Sequence, residues 1–470
     1  MKKGKDTMAK RKKYRGVSIG TVVMLLATCA VILGFAAILP KLGSNTDVTI
    51  DTGKVLQALS LGDGLPELSL SEIPISVTKA ASSGQTATSK PAEPVVTPMA
   101  LFQPIATAAP VATAAPTATP VPGGRFTATF GGSIIVNTEL RQDNYYKESK
   151  KYDFSDILSL VKNEFTADLS MVTLENIIFP EGKLSDTNTT EAVLPMLSSV
   201  GIDMVALGYR NAYDLGMNGL ASTIAAAKNE GMTVVGAYAD EASASLDQRM
   251  MELGGVKVAV LHYTDVLTDK GKKAINKDKN AFAVPLDAVS NGADAILADV
   301  AAVREKGAQV VVVSLSWSAA SGKTSPTKKQ EAFAQQLADG GVDVIIGAGS
   351  RAVQPVTWLT GNLADGTTKQ TLCAYSLGSL VNGSRSNANV AAMLLHLDIG
   401  FDGQQVTFNK VSYTPTYIWR FKQDGRYYYR VVASDLPAPD GMSDSQIESK
   451  ERALKNTQKY MGVDAPVTLR

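Results

Sequence analysis

Histidine and cysteine are almost missing from this chain, with two of each in 470 residues. A centre that activates water with two metal ions needs several imidazoles and carboxylates converging within a few ångströms. His262 and His396 each sit inside a strand-like run, with no other His, Cys or acidic cluster at ligand spacing. Both read as packed or strand-edge histidines. The cysteines exclude a disulfide framework, because Cys29 falls in a membrane-like segment and Cys373 in the folded part. Net charge is also missing: 46 Lys+Arg against 45 Asp+Glu leaves +1, so the total argues for no polyanionic partner. No nucleic-acid motif is present. Gly131-Gly132 lacks the full phosphate-loop pattern, and no Lys-Ser/Thr follows it.

The charge that is present is unevenly placed. Residues 1–17 carry Lys2, Lys3, Lys5, Lys10, Arg11, Lys12, Lys13 and Arg15 against Asp6 alone. Residues 18–39 carry none and, at helical rise, span about 33 Å, enough for a bilayer core. The basic flank predicts a cytoplasmic N-terminus, with the rest of the chain outside the cell membrane. A cleaved signal peptide is the competing reading, but its apolar region is shorter, roughly 7–15 residues. A single-pass anchor is preferred. Residues 40–124 read as a disordered linker rich in Ala, Thr and Pro. Within them 51–61 has helical and 68–77 edge-strand character, and near-repeats end at Pro110 and Pro116.

From 125 onward, strand and helix patterns alternate, which predicts an α/β domain over 125–435 with a helical extension over 436–470. Strands are expected at 126–136, 169–174, 203–207 and 256–263. Amphipathic helices are expected at 154–165 and 219–229. Residues 309–355 read as strand, helix, strand: a β-branched run, an apolar helical spacing ended by Gly340-Gly341, and a second buried run. Ligands are expected beyond the carboxyl ends of such strands, here Ser316-Trp317-Ser318 and Gly347 to Arg351. After 368 the pattern is strand-rich, and 443–460 predicts an exposed closing helix.

Those strand ends carry a resemblance. The chain resembles the CapA family of poly-γ-glutamate capsule biosynthesis proteins, over roughly residues 125 to 420. In that family one strand ends in His-Trp-Gly and the next in Gly-His-His-Pro-His, followed by Gln. Here Trp317, Gln330, Gly341, Asp343, Gly347 and Gln354 keep the frame. The histidine places hold Ser316, Ala348, Gly349 and Arg351. The family's Gly-Asp becomes Gly132-Ser133, and its Asn-Leu-Glu survives as Thr173-Leu174-Glu175. Its Asn-Asn-His becomes Tyr209-Arg210-Asn211, with Asp214 and Gly216 retained. Gly236-Ala237-Tyr238, Tyr375 to Gly378 and Tyr413 to Thr416 match in order and spacing.

The resemblance implies a metallophosphatase-like β-sandwich flanked by helices, with its metal-ligand motifs degenerate. It implies a role in capsule or cell-envelope polymer biosynthesis, beside an anionic polymer or its synthase and export machinery. Serine and asparagine are poor ligands for zinc, manganese or iron. The chain is therefore expected to have no cofactor, apart from the option of one Mg or Ca ion on Glu175 and Asp214. A serine nucleophile at Ser133, Ser316 or Ser350 lacks a base, although Lys323 lies in a nearby loop. Arg351 has two readings: it binds a carboxylate or phosphate, together with Arg210, or it pairs with Glu175 in place of a lost cation. The expected binding residues are Ser133, Glu175, Arg210, Asn211, Asp214, Ser316, Trp317 and Arg351. A catalytically inactive binding subunit is the preferred reading. A metal-dependent hydrolase or transferase with a rearranged site, and a structural scaffold, are the alternatives.

Overall fold

The computed structural model of the chain describes residues 46–50, 75–79, 123–181, 183–287, 289–317 and 321–470. The expected basic tail and anchor, 1–39, lie outside the described residues, as do the helical stretch at 51–61 and most of the linker. The chain divides into two units, Met1–Ala112 and Thr113–Arg470. In the first, Thr46–Ile50 pairs antiparallel with Ile75–Lys79. Two strands therefore stand inside the stretch expected as linker. Both are rich in β-branched residues, and the second begins just after Pro74, which has no N–H to give a ladder.

In the second unit the strands run β1 (Gly124–Ile135), β2 (Leu169–Leu174), β3 (Met204–Ala206), β4 (Thr233–Val235), β5 (Met250–Leu253) and β6 (Val256–Thr264). They continue as β7 (Val310–Ser316), β8 (Val344–Ala348), β9 (Val356–Asn362), β10 (Thr368–Ala374) and β11 (Ser379–Asn382). The last are β12 (Ala391–Phe401), β13 (Val406–Gln423), β14 (Arg426–Ala433) and β15 (Thr468–Leu469). The helices are α1 (Thr138–Asp143), α2 (Val193–Ser198), α3 (Gly216–Asn229), α4 (Asp269–Asp278), α5 (Asp294–Glu305), α6 (Lys328–Asp339) and α7 (Asp444–Met461).

Among the described residues these strands make a nine-stranded sheet, β4-β3-β2-β1-β12-β13-β14 with β11 on β1 and β15 on β13, and a six-stranded sheet, β5-β6-β7-β8-β10-β9. The sheets face each other. Phe126, Phe130, Met171 and Leu395 of the first meet Val258, Val260, Val312 and Val344 of the second in one core. Outside the first sheet, α2 and α3 bury Leu194, Leu197, Leu220 and Ile224 against Val172 and Val205. Outside the second, α5 and α6 bury Ile296, Val300, Phe333 and Leu337 against Val311, Val313 and Ile345. The result is a helix–sheet–sheet–helix sandwich, the architecture the resemblance implied. Both faces of β7 and β8 are covered, which is why their sequences are apolar without alternation. Each such side chain contributes roughly 1.5–3 kcal/mol through burial.

Two expectations are corrected. Residues 154–165 are not an α-helix but turns followed by a 3-10 segment, Ser159–Glu164. An α-helix would spend the Ile157 carbonyl on the Val161 amide. Instead Val161 N–H donates to Leu158 O at 3.0 Å, and Ile157 O accepts from Val431 of β14 at 2.7 Å. The sheet edge takes the carbonyl that the helix needed. Nor is α7 an exposed helix: Lys450, Ala453, Thr457 and Met461 are buried, with Ala453 in a cluster with Tyr417, Trp419 and Val432. The helix α4, which has few apolar residues, was missed by hydrophobic periodicity.

Candidate functional site

The residues that follow β2, β3, β6, β7 and β8 converge on one cleft of about 130 Å³, lined by Glu175, Tyr209, Arg210, Asn211, Asp265, Val266, Ser316, Trp317, Ser321, Gly349 and Arg351. Parallel strands end there from both sheets, the position where α/β sheets present loops to ligands. The sequence-expected residues Glu175, Arg210, Asn211, Ser316, Trp317 and Arg351 are thus brought together. Ser133 and Asp214 stand behind them. Ser133 Oγ donates to Glu175 Oε1 at 2.6 Å. Asp214 accepts from Asn211 Nδ2 at 2.7 Å and from the Thr268 hydroxyl.

Arg351 supplies the main cation. Its guanidinium lies 3.4 Å from Glu175 Oε2, with 39% of its side chain exposed against 8% for Glu175. It pairs with the carboxylate and still presents donors to the cleft. Arg210 is exposed at the rim. Two hydroxyls are buried in the wall without a partner among the described residues, Tyr209 Oη and Ser316 Oγ. Burial, and then the charges of Glu175 and Asp214, push the Tyr209 phenol well above its ordinary value. It therefore remains a neutral donor. The arrangement sets hydroxyl and guanidinium donors beside the Glu175 and Asp265 carboxylates around a small space, and the guanidiniums are the groups that can hold an oxyanion there.

Trp317 forms wall and core together. It is 1% exposed, its indole N–H donates to Tyr375 O at 3.0 Å, and its ring stacks on Tyr375. Other frame residues hold the fold. Gln330 closes the capping box of α6 with Thr327. Gln354 Nε2 donates to Lys323 O and Ser325 O, fastening the loop beside the cleft. Asp343 is a buried anchor for Arg304 and Lys369. Much of the retained frame is therefore structural, and the altered positions Asn211, Ser316, Gly349 and Arg351 line the cleft.

Sequence reasoning missed Tyr209, Asp265, Ser321 and Thr268. Asp265 follows β6 directly, so its place at a strand's carboxyl end was the available signal.

The histidines are elsewhere. His262 lies fully buried between Gly208 O (2.6 Å) and Ser314 Oγ (2.9 Å). His396 contacts Thr129, Thr414 and Glu164. Ser350 Oγ is held by Ala352 O and Ser376. No candidate serine therefore has an imidazole partner.

A two-metal centre of the kind the resemblance implies does not fit these residues. Among the described residues, no group of three or more His, Cys, Asp or Glu is placed to hold an ion. Glu175 is engaged by a hydroxyl and a guanidinium, and Asp214 by an amide and a hydroxyl. The remaining side chains are the Asp265 carboxylate at the cleft, the hydroxyls of Ser133 and Ser316, and the Asn211 amide.

The match to known proteins agrees with this frame. Residues 127–384, over half the chain, match the family described as "Bacterial capsule synthesis protein PGA_cap". The chain belongs to that family. The matched segment ends short of the 420 expected from the motifs. The chain is 24% identical over 193 residues to "PGA biosynthesis protein CapA" of Bacillus subtilis, covering 41% of this chain and 46% of that one. It is 25% identical over 215 residues to a "Probable polyglutamine synthesis accessory protein" of Mycobacterium tuberculosis, covering 44% and 55%. The chain thus spans about half the length of the curated relatives it matches. Among solved structures, calcineurin-like phosphoesterase YfkN of Bacillus subtilis overlaps 72% of this chain and 99% of its own, at 11% identity and a TM-score of 0.34. Overlap of that order says nothing of activity.

Arg351 carries a backbone signature as well as a charge. Its φ is +61°, a left-handed conformation that costs a non-glycine residue about 1–2 kcal/mol. The variant Arg351→Gly is therefore expected to be more stable than Arg351→Ala by about 1 kcal/mol in urea unfolding. Equal stabilities would show that the backbone there is relaxed.

Proposed function

We propose that this PGA_cap-family chain is a catalytically inactive subunit of capsule or envelope polymer biosynthesis. It is anchored in the cell membrane by one pass, with its folded unit outside. Its cleft binds an anionic group of a poly-γ-glutamate-type polymer, beside the synthase or export machinery. The observation that carries the reading is Arg351: a guanidinium stands against Glu175 where the family resemblance places a histidine. A fixed positive charge there favours an anionic ligand and disfavours a resident cation. The names of the relatives, one for PGA biosynthesis and one for an accessory role in polyglutamine synthesis, support the polymer class. The anchor rests on the charge-free segment 18–39. Among the described residues no helix is long and apolar enough to cross a membrane.

Arg351→Ala in the full chain is expected to weaken binding of a short γ-linked glutamate oligomer about tenfold, since a charge-assisted contact is worth about 1.5–3 kcal/mol. An unchanged affinity would overturn the cleft as the binding site. After dialysis against mixed divalent ions, elemental mass spectrometry is expected to find no stoichiometric metal. One or two tightly held ions per chain would favour the hydrolase reading instead. Protease added to wall-stripped cells should digest the folded unit; protection would refute the orientation.

A further inference from the structure

A second concavity lies where the loop after β11 meets α7. It measures about 120 Å³, and Arg385, Tyr417, Ser449, Arg452 and Asn456 are among its lining residues. None of the lining residues is acidic. Arg452 donates to Ser449 Oγ at 2.9 Å, and neither arginine makes an ion pair among the described residues. Tyr417, 2% exposed, brings its phenol to the same concavity. Two guanidiniums, side-chain amides and hydroxyls form a donor set without a carboxylate, the chemistry that recognises an oxyanion. The volume admits one carboxylate or phosphate group with a few waters, at about 30 Å³ per water.

This pocket is tied to the cleft. Asn389, in the same loop as Arg385, donates its amide to Ser321 Oγ at 3.1 Å, and Ser321 lines the cleft. Arg385 and the whole of α7 lie outside the segment that matches the family, 127–384. The pocket is therefore built from residues that the matched segment does not supply.

We propose that Arg385 and Arg452 form a second oxyanion-binding pocket, which takes a carboxylate or phosphate of an anionic polymer whose neighbouring part occupies the cleft. The pairing of the two sites rests on the cleft reading above; the pocket's own chemistry does not. Two anchored groups on one polymer raise affinity beyond either contact alone. They also make binding fall steeply with salt.

The test uses the full chain and three probes: a short γ-linked glutamate oligomer, an oligo(glycerol phosphate) and inorganic phosphate. Binding is followed by calorimetry at low and high salt. The double variant Arg385→Ala/Arg452→Ala is expected to weaken the oligomer that binds by at least about tenfold and to flatten its salt dependence. It should abolish phosphate binding that Arg351→Ala retains. Both arginines are exposed and alanine suits the helix at 452, so the fold should survive. Tyr417→Phe, which removes one hydroxyl from a buried ring, should weaken binding a few-fold without unfolding. Loss in the double variant with none in Arg351→Ala would uphold the pocket and sink the cleft reading. The reverse would overturn the pocket and leave the cleft. Binding of the phosphate oligomer alone would keep the pocket and reassign the polymer. A wild-type chain that binds no probe, or a double variant that binds all as wild type, overturns the proposal.

Discussion

Replacing Asp343 with alanine is expected to cost about 3 kcal/mol of folding stability, from a usual total of about 5–15. The Asp343 side chain is fully buried at the entry to β8, where Arg304 and Lys369 each lie 2.5 Å from its carboxylate. It also accepts the Val311 N–H at 2.7 Å. One carboxylate thus joins the end of α5, the start of β7 and β10. Its removal leaves the Val311 amide without its acceptor and two cations without a counter-charge, Arg304 and Lys369 keeping only carbonyl acceptors. Breaking such a buried pair costs about 3–5 kcal/mol. Arg304 and Lys369 are 28% and 24% exposed, so water recovers part of the loss and the lower figure applies. Urea unfolding of the variant measures this directly. A loss below about 1 kcal/mol would mean that the cluster is solvated rather than structural. Oligomer binding should be untouched, because the cluster lies at the strand entrances and the cleft at the exits.

The second large effect is a loss of stability in mild acid through His262. Its Nε2–H donates to the Gly208 carbonyl, which can only accept, so Nδ1 takes the Ser314 hydroxyl proton. The ring is neutral, and burial lowers its pKa from 6.5 to about 4. There is no room to relax: a Cβ on Gly236, whose φ is +74°, would lie 2.2 Å from His262 Cδ2. With the folded pKa depressed, the unfolded chain binds the extra proton between pH 6.5 and 4. The stability is therefore complete above 6.5 and is lost as pH falls toward 4, by about 3 kcal/mol from this group. His262→Gln keeps a donor and an acceptor but cannot titrate. Its unfolding free energy should change less with pH over that interval than that of the wild type. Parallel slopes would assign the acid sensitivity to other groups.

Much of the fold was legible because it is written in local runs. The β-branched stretches at 256–264, 310–316 and 344–348 admit little but buried strands, and Gly340-Gly341 admits little but a helix end. The 154–165 segment misled because its buried positions, Phe154, Ile157, Leu158, Val161 and Phe165, have helical spacing. The competing hydrogen bond comes from Val431, far along the chain. The face of α7 was missed because its buried residues include Lys450 and Thr457, which have no apolar signature.

The sequence by itself determined the class of the protein: alternating strands and helices, the family frame from Trp317 to Gln354, and two histidines set apart from other ligand-type residues. These are properties of composition and short spacing, which neighbouring residues settle. Only the tertiary structure decided what the altered site contains. Arg351 meets Glu175 across 176 positions of sequence, and Tyr209 and Ser316, whose buried hydroxyls have no partner among the described residues, come to the wall of the same cleft. Arg385 and Arg452 line one pocket only because α7 folds back onto β13. Side-chain meetings of this kind depend on strand order and on which sheet faces which. No local propensity encodes them, and so the chemistry of the site became visible only in the assembled sandwich.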